Sequence, residues 1–97
     1  MNDLLTEIEE LLISDNGIAL SLRFQEKLNN DKVTKLFNCL DLLKIIVLND
    51  KSLPIWFMGM ILDFILVVNV AIENEKTHQE ELSYFLDEFM NKIRSLS

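Results

Sequence analysis

Residues 53–72 read LPIWFMGMILDFILVVNVAI. Asp63 is the only charge in this stretch, and Asn69 its only amide. A helix of that length that is apolar nearly all round has two homes, a bilayer or the middle of a protein core. A carboxylate near mid-membrane costs about 2.5–3.5 kcal/mol on insertion scales. The flanks give no clear orientation cue, with Lys51 just before the stretch and Glu73 and Glu75 just after it. The rest of the chain is amphipathic and needs a core to pack on. The stretch is therefore expected as a helix over about residues 54–73, central and wrapped by its neighbours. Pro54 suits its first turn, where a missing N–H is harmless, and Gly59 lets a neighbour approach closely.

The neighbours on either side carry one-sided patterns. Leu4, Leu5, Ile8, Leu11 and Leu12 share an arc at helical spacing, with Asp3, Glu7 and Glu10 opposite, so a helix is expected over about 3–13 with Asn2 or Asp3 as its cap. Ser14-Asp15-Asn16-Gly17 should end it, since Asn and Gly accept the left-handed conformation of a helix terminus. Residues 18–24 alternate like a strand, but Leu20, Phe24 and Leu28 also fit a helix. With no second alternating run to pair with, a helix over about 18–28 is favoured, and a strand here would imply a small α+β fold. Asp31 is expected to cap a third helix over about 32–48. Its core face holds Val33, Leu36, Phe37, Leu40, Leu43 and Val47, and its second half is covered on two sides. Thr77-x-x-Glu80 reads as a capping box for a fifth helix. Leu82, Phe85, Leu86, Phe89, Ile93 and Leu96 form the apolar arc of that helix, and Lys92 and Arg94 complement its dipole.

Together these segments predict an all-α fold. It is a compact bundle of four to five antiparallel helices around the central apolar helix, in one domain over residues 1–97. The 97 residues leave no room for a second domain. Two glycines and one proline argue against an all-β chain. With 49% apolar and 26% charged residues the composition is globular.

Sixteen acids against nine bases give a net charge of −7. The acids cluster in residues 1–15 and 63–88, around a weakly basic middle. No basic stripe exists to displace counterions from phosphate, so nucleic acid and anionic membrane surfaces are not the expected partners, and a basic protein is the natural one. One cysteine, Cys39, cannot form an internal disulfide. The N-terminal MNDLLTEIEELL lacks the basic-then-apolar pattern of a secretory signal. Both point to a reducing cytoplasm.

Chemistry has few residues to work with. His78 is the only imidazole and Cys39 the only thiol, and no Gly-rich loop precedes a helix. They are expected as a solvated helix-start residue and an inert, semi-buried side chain. Glu75-x-x-His78 matches one element of a carboxylate di-iron bundle, which needs a second such element and two further glutamates. No catalytic residue, metal ligand or cofactor is expected. Asp63 is expected on an exposed edge or paired with a lysine such as Lys44, and its functional reading is that it faces an interface or a cavity.

The best candidate surface is the acidic arc of the fifth helix, Glu80, Glu81, Asp87 and Glu88 around Tyr84, joined by Asp3, Glu7 and Glu10 of the first helix. Aromatic anchors among charges suit an electrostatic docking patch. The expectation is a non-enzymatic binding protein, most concretely a small acidic inhibitor of the immunity-protein or antitoxin kind that caps a basic partner. One alternative is a helical adaptor or chaperone-like protein offering an apolar groove, as a homodimer in one form, with Trp56, Phe57, Met58 and Met60 as its candidate patch. The other is a membrane-associated protein using residues 53–72.

Overall fold

Helices arise where the apolar spacing is helical, and they stop where a side chain or the backbone finds another partner. The computed structural model describes residues 2–50, 52–74 and 78–96. Five helices follow one another: α1 (Asn2–Ile13), α2 (Ile18–Arg23), α3 (Asn30–Asp50), α4 (Ile55–Asn74) and α5 (Gln79–Arg94), with no strand among the described residues. The all-α bundle expected from periodicity is what forms. Its core draws on every helix, and Phe57, Phe64 and Phe89 are its largest fully buried side chains. Phe64 meets Phe85 edge-on at 6.2 Å and Phe89 at 5.1 Å, while Phe37 stacks on Phe85 at 5.8 Å. These rings join α3, α4 and α5.

The apolar arcs of α1, α3 and α5 point inward as their spacing requires. Leu5, Ile8 and Leu12 are buried from α1; Leu36, Leu40, Leu43 and Val47 from α3; Leu82, Phe85, Leu86 and Phe89 from α5. α1 packs on α2, α3 and α4, α4 also packs on α2 and α5, and α5 closes against α3. Lys92 fastens that last contact: its ammonium lies 2.8 Å from Asp41 Oδ1 and 5.3 Å from the centre of the Phe37 ring. The Gln79 side-chain amide donates to the Ile72 carbonyl at 3.0 Å, tying the start of α5 to the end of α4.

Several helix ends differ from expectation, each for a local reason. Helix two ends at Arg23, well short of residue 28. Gln25 takes a left-handed φ of 57°, which turns the chain so that Leu28 reaches the core while Phe24 stays exposed. The cap of α3 is Asn29, and Asp31 sits within the first turn. Asn29 Oδ1 accepts the Lys32 N–H at 3.1 Å, satisfying one of the donors that every helix start leaves open. Asp3 likewise lies inside the first turn of α1. At α5 the cap position belongs to His78, whose side chain makes no cap hydrogen bond. Thr77 of the expected capping box, and Glu75, fall outside the described residues.

Gly17 is required for a reason other than a left-handed φ. Its backbone is extended (φ −83°, ψ 169°). A Cβ there would come within 2.9 Å of backbone atoms of Leu12 and Ser14, so the tight α1–α2 corner admits only glycine. The Gly17 N–H donates to the Ser14 carbonyl at 2.8 Å. Lys32 Nζ of α3 donates to the Asn16 carbonyl and holds the same corner from outside.

Helix four differs most. It packs against α1, α2 and α5, as a central helix should, yet the others do not wrap it. Only Phe57, Met60, Ile61, Phe64 and Val68 are buried, all on one side. The second half of α3 is likewise open on its outer side, where Leu42, Ile45 and Leu48 are exposed. α3 and α4 follow each other in the chain but share no extensive contact, so neither covers the other's free flank.

Candidate functional site

The outer flank of α4 is the main unpartnered surface. Ile55 is 91% exposed, Trp56 48%, Leu62 61%, Leu66 62% and Val70 54%. Positions 55, 59, 62, 66 and 70 recur at three- and four-residue steps, so they form one stripe along the helix. Gly59 interrupts it, and a Cβ at Gly59 would meet nothing within 4 Å. The Trp56 ring packs edge-on against Phe57 at 6.0 Å, which fixes it at the border of the stripe. The four residues singled out from the sequence are thus divided: Phe57 and Met60 enter the core, while Trp56 and Met58 face outward.

Beside Trp56 the stripe drops into a groove of about 730 Å³ between α4 and the α1–α2 corner. Buried Ala19, Met60 and Phe64 lie beneath it, Ile13, Leu20 and Trp56 line it as larger apolar side chains, and Glu9, Asp15 and Asp63 line it with Arg23. Asp63 is exposed there, and among the described residues no lysine lies within ion-pair distance of it. A second hollow of about 380 Å³ opens where α2 and residues 25–28 meet the end of α4 and the start of α5. It is floored by Leu22, Leu28, Leu66, Val70 and Leu82. His78 and Glu81 stand at its rim, with His78 Nδ1 at 3.9 Å from Glu81 Oε2.

The acidic residues expected to form a docking patch fall on two surfaces. α1 and α5 are not packed on each other, and both pack on α3. On α1, Asp3, Glu7 and Glu10 share a shallow depression with Lys32 and Lys35, and Lys35 Nζ lies 4.0 Å from Glu7 Oε1. Basic residues of α3 offset that arc. On α5, Glu80 and Asp87 are exposed and Glu88 is half-buried around Tyr84, which is 69% exposed. Among the described residues no cation lies within ion-pair distance of Glu80, Asp87 or Glu88. The α5 arc therefore keeps its negative field, with Glu81 engaged by His78.

Cys39 is buried in α3. Burial pushes its thiol above the ordinary range, the Glu7 carboxylate adds to the shift, and Lys35 opposes it. A protonated, enclosed thiol is a poor nucleophile. No group of three or more His, Cys, Asp or Glu among the described residues is placed to hold a metal ion.

Sequence reasoning missed the groove walls Glu9 and Asp15 and the stripe positions Leu62, Leu66 and Val70. Asp63 and Trp56 had been singled out, but not as neighbours. The missing signal lies in the packing: α4 is apolar on every side, so its spacing does not say which side its neighbours cover, and the open apolar side of α3 is not turned onto it. Comparison with known protein families, curated proteins and solved structures gave no match to this chain.

Proposed function

We propose that this chain is a non-enzymatic protein-binding module that docks its partner on the open flank of α4. The observation that carries this reading is the stripe Ile55, Leu62, Leu66 and Val70 with Trp56 at its border, large apolar side chains left in water. Fully burying one such side chain stabilises by about 1.5–3 kcal/mol. A contiguous patch of them on a soluble protein marks an interaction site. This is the adaptor-like form of a binding protein, with the groove beside Trp56 adjoining the stripe.

The α5 arc supports a second reading, a small acidic inhibitor of the immunity-protein or antitoxin kind seated on a basic protein. Exposed Tyr84 stands among Glu80, Asp87 and Glu88, which have no cation within ion-pair distance among the described residues, the arrangement an electrostatic docking patch needs.

A photo-crosslinking amino acid placed at Leu66, and separately at Asp87, in the host cell tests both. A protein adduct through position 66 and not through 87 is the expected result. Adducts through 87 alone would move the site to the α5 arc. Adducts of position 66 with lipid would replace the proposal with membrane association, for which α4 is long and apolar enough. Adducts of position 66 with a second copy of the chain would replace it with a homodimer.

A further inference from the structure

The walls of the groove say more about its occupant than the stripe does. We propose that the partner lays an amphipathic helix along α4, with lysines or arginines bordering the apolar face of that helix. This rests on the reading above that the open flank of α4 is the docking surface.

Three features point the same way. The first is extent. Exposed apolar positions run from Ile55 to Val70, roughly 22 Å of helix at about 1.5 Å per residue. That span takes about four turns of a partner helix, more than one inserted side chain could cover.

The second is charge. Glu9, Asp15 and Asp63 reach the groove wall from α1, the α1–α2 corner and α4, against the single cation Arg23. Glu73 stands exposed at the far end of α4. A helix bordered by Lys or Arg meets these carboxylates while its apolar face meets Ile13, Leu20 and Trp56. A second copy of this chain would bring the same acidic borders and a further net charge of −7, and an anionic bilayer would be repelled in the same way.

The third is Gly59. In the exposed interior of a helix glycine is the least favourable residue after proline. Here it sits mid-stripe with open space above it. The absent side chain lets a partner backbone come close, as small residues do wherever helices cross tightly.

Trp56, the only tryptophan, reports occupancy of the groove directly. The probe is an 18-residue peptide of leucine and lysine in an amphipathic helical pattern, titrated into the full chain while Trp56 emission is followed. A saturable blue shift is expected, with affinity falling tenfold or more in Leu62→Asp and also in Leu66→Gln. The same peptide with glutamate in place of lysine should give no shift. Asp63→Asn combined with Glu9→Gln should lower the salt dependence of binding. Circular dichroism of each variant confirms that the exposed substitutions leave the helices intact.

The inference is overturned if the glutamate peptide binds as well as the lysine peptide, or if both stripe variants bind normally. It is also overturned if Trp56 shifts with protein concentration alone, or on neutral phosphatidylcholine vesicles but not on the peptide. A protein adduct through position 66 combined with no response to the lysine peptide would sink the basic helix and leave the docking surface standing.

Discussion

Alanine at each of the two glycines should change stability in opposite directions, because the same added methyl meets two different environments. At Gly17 the new Cβ would lie 2.9 Å from the carbonyl carbon and oxygen of Leu12 and from the Ser14 nitrogen. All three are backbone atoms, so no side-chain rotation relieves the clash, and the end of α1 must move. Forcing extra volume into a packed site costs about 1–3 kcal/mol. The stiffer unfolded chain returns about 0.4–1 kcal/mol of that. At Gly59 the methyl enters open space inside a helix, where alanine is favoured over glycine by about 0.8–1.0 kcal/mol. The two variants should therefore differ by roughly 1–3.5 kcal/mol, with the wild type between them. Urea unfolding followed by circular dichroism reads this directly. With a slope of about 2 kcal/mol per molar urea, the two midpoints should separate by about 0.5–2 M. A Gly17→Ala variant as stable as the wild type would refute the tight corner. A destabilised Gly59→Ala would mean that something in the chain itself packs over that position, and the open flank of α4 would lose its basis.

Two further outcomes follow from the packing of α3. Lys92 and Asp41 form a partly exposed pair, so a double-mutant cycle should give a coupling below about 1 kcal/mol after solvent screening. Lys92→Ala should still destabilise more than Asp41→Ala, since it also removes the ammonium and its stem from the Phe37 ring. At Cys39, a folded-state thiol held above its ordinary range keeps its proton when the unfolded thiol has lost it. Its contribution is complete below the unfolded pKa and is lost as pH rises from about 9 toward the folded value. Cys39→Ala should flatten the fall in stability over that window. A thiol reagent at neutral pH should label Cys39 no faster than the chain opens, and prompt labelling of the native protein would contradict its burial.

The corner at Gly17 and the groove beside α4 are linked by construction. The turn that requires glycine is also what brings Asp15 and Ile13 to face Trp56 and Asp63. A change that loosens the corner should weaken docking on the groove even though Gly17 touches no partner. Helix two contributes through its shortness. Ending at Arg23, it places Arg23 beside the groove and sends Gln25, Glu26 and Leu28 to line the neighbouring hollow.

Much of this was legible in the chain itself. One-sided apolar spacing in α1 and α5 encodes both the helix and the direction of its core, because an amphipathic stripe has a single low-energy orientation. Leu5, Ile8 and Leu12, or Leu82, Phe85 and Phe89, could be placed inside from their spacing alone. Asn29 could not be preferred over Asp31 as the cap, since both carry a suitable oxygen and only backbone geometry selects between them. The acidic residues were legible as charges but not as surfaces. Whether Glu7 faces solvent or Lys35 depends on how α1 settles on α3. Helix four was legible only as a helix. A segment apolar on all sides carries no periodic signal to say which side turns inward. The tertiary structure alone decided that Phe57, Ile61, Phe64 and Val68 face the core and that Leu62 and Leu66 face outward, because the other helices fill only one side of α4 and the open apolar side of α3, Leu42, Ile45 and Leu48, is not turned onto the rest.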